Sequence, residues 1–94
     1  MAEWITRTLV NSVKENLGDH AVVLVEVPGG WYDAIGRDAL TVMEHCDAPV
    51  SQHGSEHARS WIGQQSIGAA VQSLIDAGHT VAVVQAQIVK EKSR

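Results

Sequence analysis

The chain has 94 residues, of which 45% are hydrophobic, a size and composition typical of one small globular domain with a single core. Its 7 basic and 11 acidic residues give a formal net charge of −4, which excludes the strong, non-specific attraction to phosphate backbones that basic proteins show. The single cysteine excludes an internal disulfide and a multi-cysteine metal site. With no signal-peptide pattern and no apolar run of membrane-spanning length, we expect a cytoplasmic protein without membrane contact.

The first half of the chain predicts a helix, a buried strand and a hairpin. From Glu3 to Leu17 the apolar residues recur at about every fourth position and the pattern stops at Gly18, which is typical of an amphipathic helix with a C-cap glycine. Residues 20–27 form a β-branched, nearly continuous apolar run, which predicts a central strand covered on both faces. Proline and two glycines at 28–30 predict a turn, after which residues 31–35 pair back as a short strand.

The second half predicts a helix at 36–46, a loop or frayed edge strand at 47–56 and a short strand at 57–63. A third helix, capped by Ser66, follows at 66–77, and a final buried strand at 79–89. The charged residues 90–94 predict a flexible tail. We therefore expect one α/β domain over residues 1–94, with a mixed sheet of about four to six short strands flanked by three helices.

Motifs that could carry chemistry have simpler interpretations. His53 and His57 have a metal-ligand spacing only if they lie on one helix, and the glycine between them favours solvated loop histidines. Cys46 next to His45 lacks an orienting partner, which favours a buried core cysteine over a nucleophile. The Gly29-Gly30 pair matches no phosphate-binding loop. The sequence therefore predicts no catalytic residue, no cofactor, no metal site and no enzyme activity.

The segment Trp31-Tyr32-Asp33 directly after the glycine turn is the strongest candidate site. Adjacent residues of a strand project to opposite faces of the sheet, so one of the two large aromatic side chains should be exposed. The alternative is structural, with one ring in the core and the other covering the sheet edge. We take Trp31, Tyr32 and Asp33 as candidate nucleic-acid-binding residues.

Several runs of the chain resemble the N-terminal mismatch-recognition domain of the MutS family. Residues 29–39, Gly-Gly-Trp-Tyr-Asp-Ala-Ile-Gly-Arg-Asp-Ala, are similar to the family stretch Gly-Asp-Phe-Tyr-Glu-Leu-Phe-x-x-Asp-Ala. Residues 59–65 resemble its Ala-Gly-Ile-Pro-x-His loop, 71–78 its Tyr-Leu-x-x-Leu-x-x-x-Gly helix, and 81–85 its Val-Ala-Ile-x-Glu-Gln strand. The order and spacing of the elements agree over nearly the whole chain.

The resemblance implies a mixed sheet flanked by helices and a role in contacting DNA. In that family an aromatic ring of a Phe-x-Glu motif wedges beside a mispaired base, and the acid hydrogen-bonds that base. By position, Trp31 is the stacking ring and Asp33 is the hydrogen-bonding acid. An indole offers a larger stacking face than phenylalanine, and aspartate offers the same chemistry as glutamate with a shorter reach.

The departures from the family pattern leave two functional hypotheses. The family's Pro and His in the loop are Gly63 and Gln65 here, and the rest of the MutS chain, including its ATPase, is absent from these 94 residues. The first hypothesis is a non-enzymatic module that binds DNA or other nucleic acid weakly, accessory to DNA repair or a mobile element. The second is a protein-interaction adaptor, which binds a protein partner or a second copy and has kept the fold without nucleic-acid binding.

Overall fold

The computed structural model describes residues 3–52 and 57–85, with side chains from Thr6 onward in those ranges. The elements are α1 (Glu3–Leu17), β1 (Val22–Val27), β2 (Trp31–Ile35), α2 (Arg37–Cys46), β3 (Val50–Ser51), β4 (Arg59–Gly63), a 3-10 turn (Gln64–Ser66), α3 (Ile67–Asp76) and β5 (Val81–Val84). Their order is the predicted one. The predicted flexible tail, 90–94, and the last residues of the predicted final strand lie outside the described residues.

The five strands form one sheet in the order β3-β4-β2-β1-β5. β1 pairs antiparallel with β2 and parallel with β5, while β4 pairs antiparallel with both β2 and β3. The parallel strands β1 and β5 are separated in the chain by the other three strands, α2 and α3, whereas β1 and β2 are joined by a three-residue turn. This arrangement confirms the α/β class and the mixed sheet flanked by three helices.

The core has one layer on each face of the sheet. On one face, β1 residue Leu24 packs in a cluster with Val42 of α2 and Leu74 of α3. On the other face, Val23 packs in a cluster with Val10 of α1. β1 is therefore covered on both faces as its apolar run predicts, although β2 rather than β1 lies in the middle of the sheet.

The final strand is more exposed than the sequence predicts. Val83 is 41% exposed, and the rest of β5 is only partly buried. The physical reason is that β5 lies at the edge of the sheet, next to β1 alone among the described strands. A run of valines indicates a strand, but its place in the sheet depends on which strand it pairs with.

Helix α3 begins differently from the prediction. Ser66 makes no side-chain capping hydrogen bond, and its backbone (φ −105°, ψ 0°) is outside the extended region that a capping residue usually adopts. The chain instead enters α3 through the 3-10 turn Gln64–Ser66.

In the described part of the chain, no helix has the length and apolar character that crossing a membrane requires.

Candidate nucleic-acid interface

The hairpin of β1 and β2 presents Trp31 at the surface. Val27 pairs with Trp31, so that Pro28, Gly29 and Gly30 form the turn, with φ of 101° and 86° at the two glycines. L-residues with a Cβ rarely adopt such angles, which is why the turn needs glycine there. Trp31 begins β2 directly after this turn and is 45% exposed. The expectation that one aromatic side chain of this segment is exposed is confirmed.

Tyr32 and Asp33 are both buried, but on opposite faces. Tyr32 is 5% exposed and belongs to the core cluster beneath α2 and α3. It was predicted as a binding residue together with its two neighbours, but strand alternation turns its ring away from the face that carries Trp31. The candidate interface therefore consists of Trp31 and Asp33 without Tyr32.

The indole of Trp31 lies across the backbone of two glycines. A Cβ built on Gly29 would lie 3.4 Å from Cδ1 of the indole, and one built on Gly63 would lie 3.8 Å from its Cζ3. Gly63 is the residue that faces Trp31 across the β2–β4 pair. One side of the ring is thus supported by β4 and by the turn, while the exposed remainder faces solvent.

Asp33 is 5% exposed and forms an ion pair with Arg59 of β4. Nε and Nη2 of Arg59 donate to the same carboxylate oxygen, Oδ2, at 2.8 and 2.7 Å. Oδ1 is buried and has no hydrogen-bond partner among the described residues. Burial raises the pKa of the Asp33 carboxyl above its ordinary range, and the Arg59 guanidinium opposes this shift without cancelling it.

These side chains line an open depression on the α1 side of the sheet. Its volume is about 340 Å³, and its walls include Pro28, Trp31, Asp33, Arg59 and Trp61. A second cavity adjoins it at Asp33 and Arg59 and extends to Thr6 of α1. Because α1 packs mainly on β1, the neighbouring part of β2 and β4 keeps an accessible surface.

Arg59 and Trp61 were not singled out from the sequence. The alternation of Ala58, Ser60 and Ile62 predicts the strand and places these three small or apolar residues on its buried face. The same alternation places Arg59 and Trp61 together on the opposite face, and this was the signal that could have identified them. Their proximity to Asp33 required knowledge that β4 pairs with β2.

Of the other candidate groups, His57 lines the adjoining cavity with Asp33 and Arg59, while Cys46 and His45 lie elsewhere. Within residues 3–52 and 57–85, no group of three His, Cys, Asp or Glu side chains could hold a metal ion. His53 lies outside these ranges, so its relation to His57 remains a sequence hypothesis. Cys46 packs against the core, where its thiol donates to the Ala70 carbonyl at 3.6 Å, and burial raises the pKa of that thiol. His45 contacts the ring of His79 edge-on.

One known protein family matches this chain along most of its length. The family model described as MutS domain I matches residues 8–94, which is nearly the whole chain. No curated protein matches the chain. The match covers far more than half of the chain, and the mixed sheet flanked by helices is consistent with it, so the chain belongs to the MutS domain I family.

Proposed function

We propose that the face formed by β2 and β4 binds nucleic acid, with Trp31 lying against a base and Asp33 accepting a hydrogen bond from that base. One observation supports the proposal most: on one strand face, a 45% exposed indole lies two residues from a buried carboxylate oxygen that has no partner in the described part of the chain. The proposed role is recognition rather than catalysis, in keeping with a family defined by domain I of MutS.

The chemistry of the two groups is complementary to a base. An indole stacks on any base because every base has a π face, and such stacking contributes about 1–3 kcal/mol per base. A buried acceptor without a donor costs about 1–3 kcal/mol. A rotation of the Asp33 side chain that exposes Oδ1 to an exocyclic amine or ring N–H of a base would remove that cost. Stacking and hydrogen bonding together would select a base that has left its own stack.

Electrostatics limit the affinity that this face can reach. The chain has a net charge of −4, and Arg59 is the cation that lines the depression beside Trp31. Because phosphate contacts supply most non-specific affinity, we expect weak binding, with a dissociation constant on the order of 10⁻⁴ M. Binding should be strongest at low salt, where screening is least.

The proposal can be tested by NMR titration of the ¹⁵N-labelled chain at low salt. The ligands are a matched duplex, the same duplex with one mismatch, and one of its single strands. We expect the Trp31 indole signal and the amides of β2 and β4 to shift. Trp31→Ala should lower the affinity at least about fivefold through loss of stacking. Without ligand, the amide signals far from position 31 should match those of the wild type, which shows that the variant is folded.

Ile75→Ala is the matched control. Ile75 is 49% exposed, so this variant also removes an exposed large apolar side chain, but it lies on α3 behind the other face of the sheet. Its affinity should equal that of the wild type. Signals that stay in place with all three ligands would refute nucleic-acid binding by this chain.

A protein-interaction adaptor is the second candidate function, favoured by the outer edge of β5. Among the described residues no strand pairs with that edge, and Val83 on it is 41% exposed. An unpaired edge can add a strand from a partner or from a second copy. Sedimentation as a dimer, together with unshifted signals in the titration above, would favour this function over nucleic-acid binding.

A further inference from the structure

A second tryptophan shares the face that carries Trp31. Trp61 of β4 is directly opposite Asp33 in the β2–β4 register, and directly opposed residues of an antiparallel pair project to the same side. Trp31 is opposite Gly63, which makes the two tryptophans diagonal neighbours, with backbones about 7–8 Å apart. Both indoles border the same depression, and Trp61 is half-buried.

This pair of rings is a property of this chain rather than of the family pattern quoted above. In the loop pattern Ala-Gly-Ile-Pro-x-His, position 61 corresponds to the glycine and position 63 to the proline. Here the indole stands at 61 and the glycine at 63. The exchange adds a ring beside Trp31, while the glycine opposite Trp31 leaves room for that indole to lie over the backbone of β4.

The charge of the face favours bases that are already unpaired. Wedging a ring into a duplex costs a few kcal/mol for each step that is unstacked, and that cost is normally offset by many backbone contacts. Arg59 supplies one cationic contact here, and two of its nitrogens are engaged by Asp33. In a single strand the unstacking cost is small, so two stacking rings can provide most of the binding energy.

We infer that Trp61 is a second stacking ring and that this face takes single-stranded nucleic acid, with neighbouring bases lying on Trp31 and Trp61. The inference rests on the proposed function and adds to it a residue and a substrate class. Arg59, whose side chain is 56% exposed, lies within the same depression and contacts the phosphate that links the two bases.

The test compares two substitutions of the same ring. Trp61→Leu removes the ring but keeps an apolar side chain, whereas Trp61→Tyr keeps an aromatic ring. The ¹⁵N-labelled full chain is titrated at low salt with tetrathymidylate and, separately, with a duplex that contains one mismatch. We expect the wild type to bind tetrathymidylate more tightly than the duplex, Trp61→Leu to lose at least about fivefold in affinity for tetrathymidylate, and Trp61→Tyr to stay within about threefold of the wild type.

A measurement on the wild type guards against a variant that fails to fold. The Trp61 indole signal is identified as the one missing from Trp61→Tyr, and stacking of a base on it should move that signal upfield as tetrathymidylate is added. A Trp31 signal that moves while the Trp61 signal stays in place would overturn the inference. Wild-type affinity in Trp61→Leu, or a preference of the wild type for the mismatched duplex, would also overturn it.

These outcomes separate the two proposals. If Trp31→Ala abolishes binding and Trp61→Leu does not, the inference about Trp61 is wrong and the nucleic-acid-binding function stands. If neither ligand moves any signal of the wild type, the proposed function itself is wrong, and the second ring has no base to bind.

Discussion

Asp33 and Asp38 are almost equally buried, at 5% and 4% exposure, but their carboxylates are partnered differently. Both oxygens of Asp38 are bonded within the chain, Oδ1 by Nζ of Lys14 and Oδ2 by the backbone N–H of Val23, each at 3.1 Å. Arg59 bonds Oδ2 of Asp33 and leaves Oδ1 without a partner among the described residues. A buried carboxylate with both oxygens bonded is expected to stabilise the fold, whereas a buried oxygen without a described partner needs an explanation, and the proposed base contact offers one.

Asp38 connects three elements. It lies in the first turn of α2, where a negative charge also stabilises the helix, and it joins that turn to β1 through Val23 and to α1 through Lys14. Nζ of Lys14 additionally donates to the carbonyls of Asp19 and Ala21 at 2.9 and 2.7 Å, which ties the end of α1 to the start of β1. Nothing in this network faces the Trp31 depression.

The largest expected effect is the loss of stability in Asp38→Ala. Removing the Asp38 carboxylate leaves the buried N–H of Val23 without an acceptor and Lys14 with one partner fewer. This should lower the free energy of unfolding by about 3 kcal/mol. Urea unfolding followed by circular dichroism measures this. A loss below about 1 kcal/mol would mean that the fully partnered Asp38 does not stabilise the fold. The proposed contrast between Asp38 and Asp33 would then be wrong.

The same substitution at position 33 should have little effect on stability. Asp33→Ala leaves Arg59 unpaired, but the Arg59 side chain is 56% exposed and water can solvate it, so we expect a change of at most about 1 kcal/mol. The affinity for a bound oligonucleotide should instead fall roughly tenfold, because a hydrogen bond to a charged acceptor is lost. Destabilisation as large as that of Asp38→Ala would show that Asp33 is structural.

The smallest expected effect is in the pH dependence of stability. Burial raises the pKa of the Asp33 carboxyl in the folded protein, while the unfolded chain keeps an ordinary value of about 3.9. The folded state therefore takes up this proton at a higher pH than the unfolded state. As pH falls from neutral towards about 4, the contribution of Asp33 to the unfolding free energy rises.

Asp33→Asn isolates this contribution because an amide cannot ionise and has nearly the same shape. Its stability relative to the wild type should be highest near neutral pH and should decrease as pH falls towards about 4. Urea midpoints of both proteins across this pH range give the difference. If the stability of Asp33→Asn relative to the wild type instead increases on acidification, pairing with Arg59 outweighs burial.

Much of the fold follows from local patterns in the sequence. The four-residue apolar spacing up to Leu17 predicts α1, the continuous apolar run before Pro28 predicts a strand covered on both faces, and the glycines after it predict the hairpin. The position of Val83 at an exposed edge and the entry into α3 without a Ser66 cap were not predicted, because both depend on which elements pack beside them.

The candidate site was only partly predictable. Alternation along β2 indicates that Trp31 and Asp33 share a face and that Tyr32 does not, but it cannot say which face lies beneath a helix. The structure answers this by placing Tyr32 under α2 and α3. Arg59 is more than twenty residues from Asp33 in the chain, and only the pairing of β4 with β2 brings them together.

The sequence by itself therefore determined the elements and their order, since these depend on the chemistry of neighbouring residues. It left two interpretations of the aromatic pair open, and the structure shows that Trp31 is exposed and Tyr32 is buried. The tertiary structure decided how each buried acid is partnered. Asp33 and Asp38 lie in the same short stretch. The end of α1 brings Lys14 to Asp38 at the first turn of α2, while the register of β4 brings Arg59 to Asp33. Residues that are distant in the sequence decide whether both oxygens of a buried carboxylate have hydrogen-bond partners. This is the physical difference between a structural aspartate and a candidate binding residue.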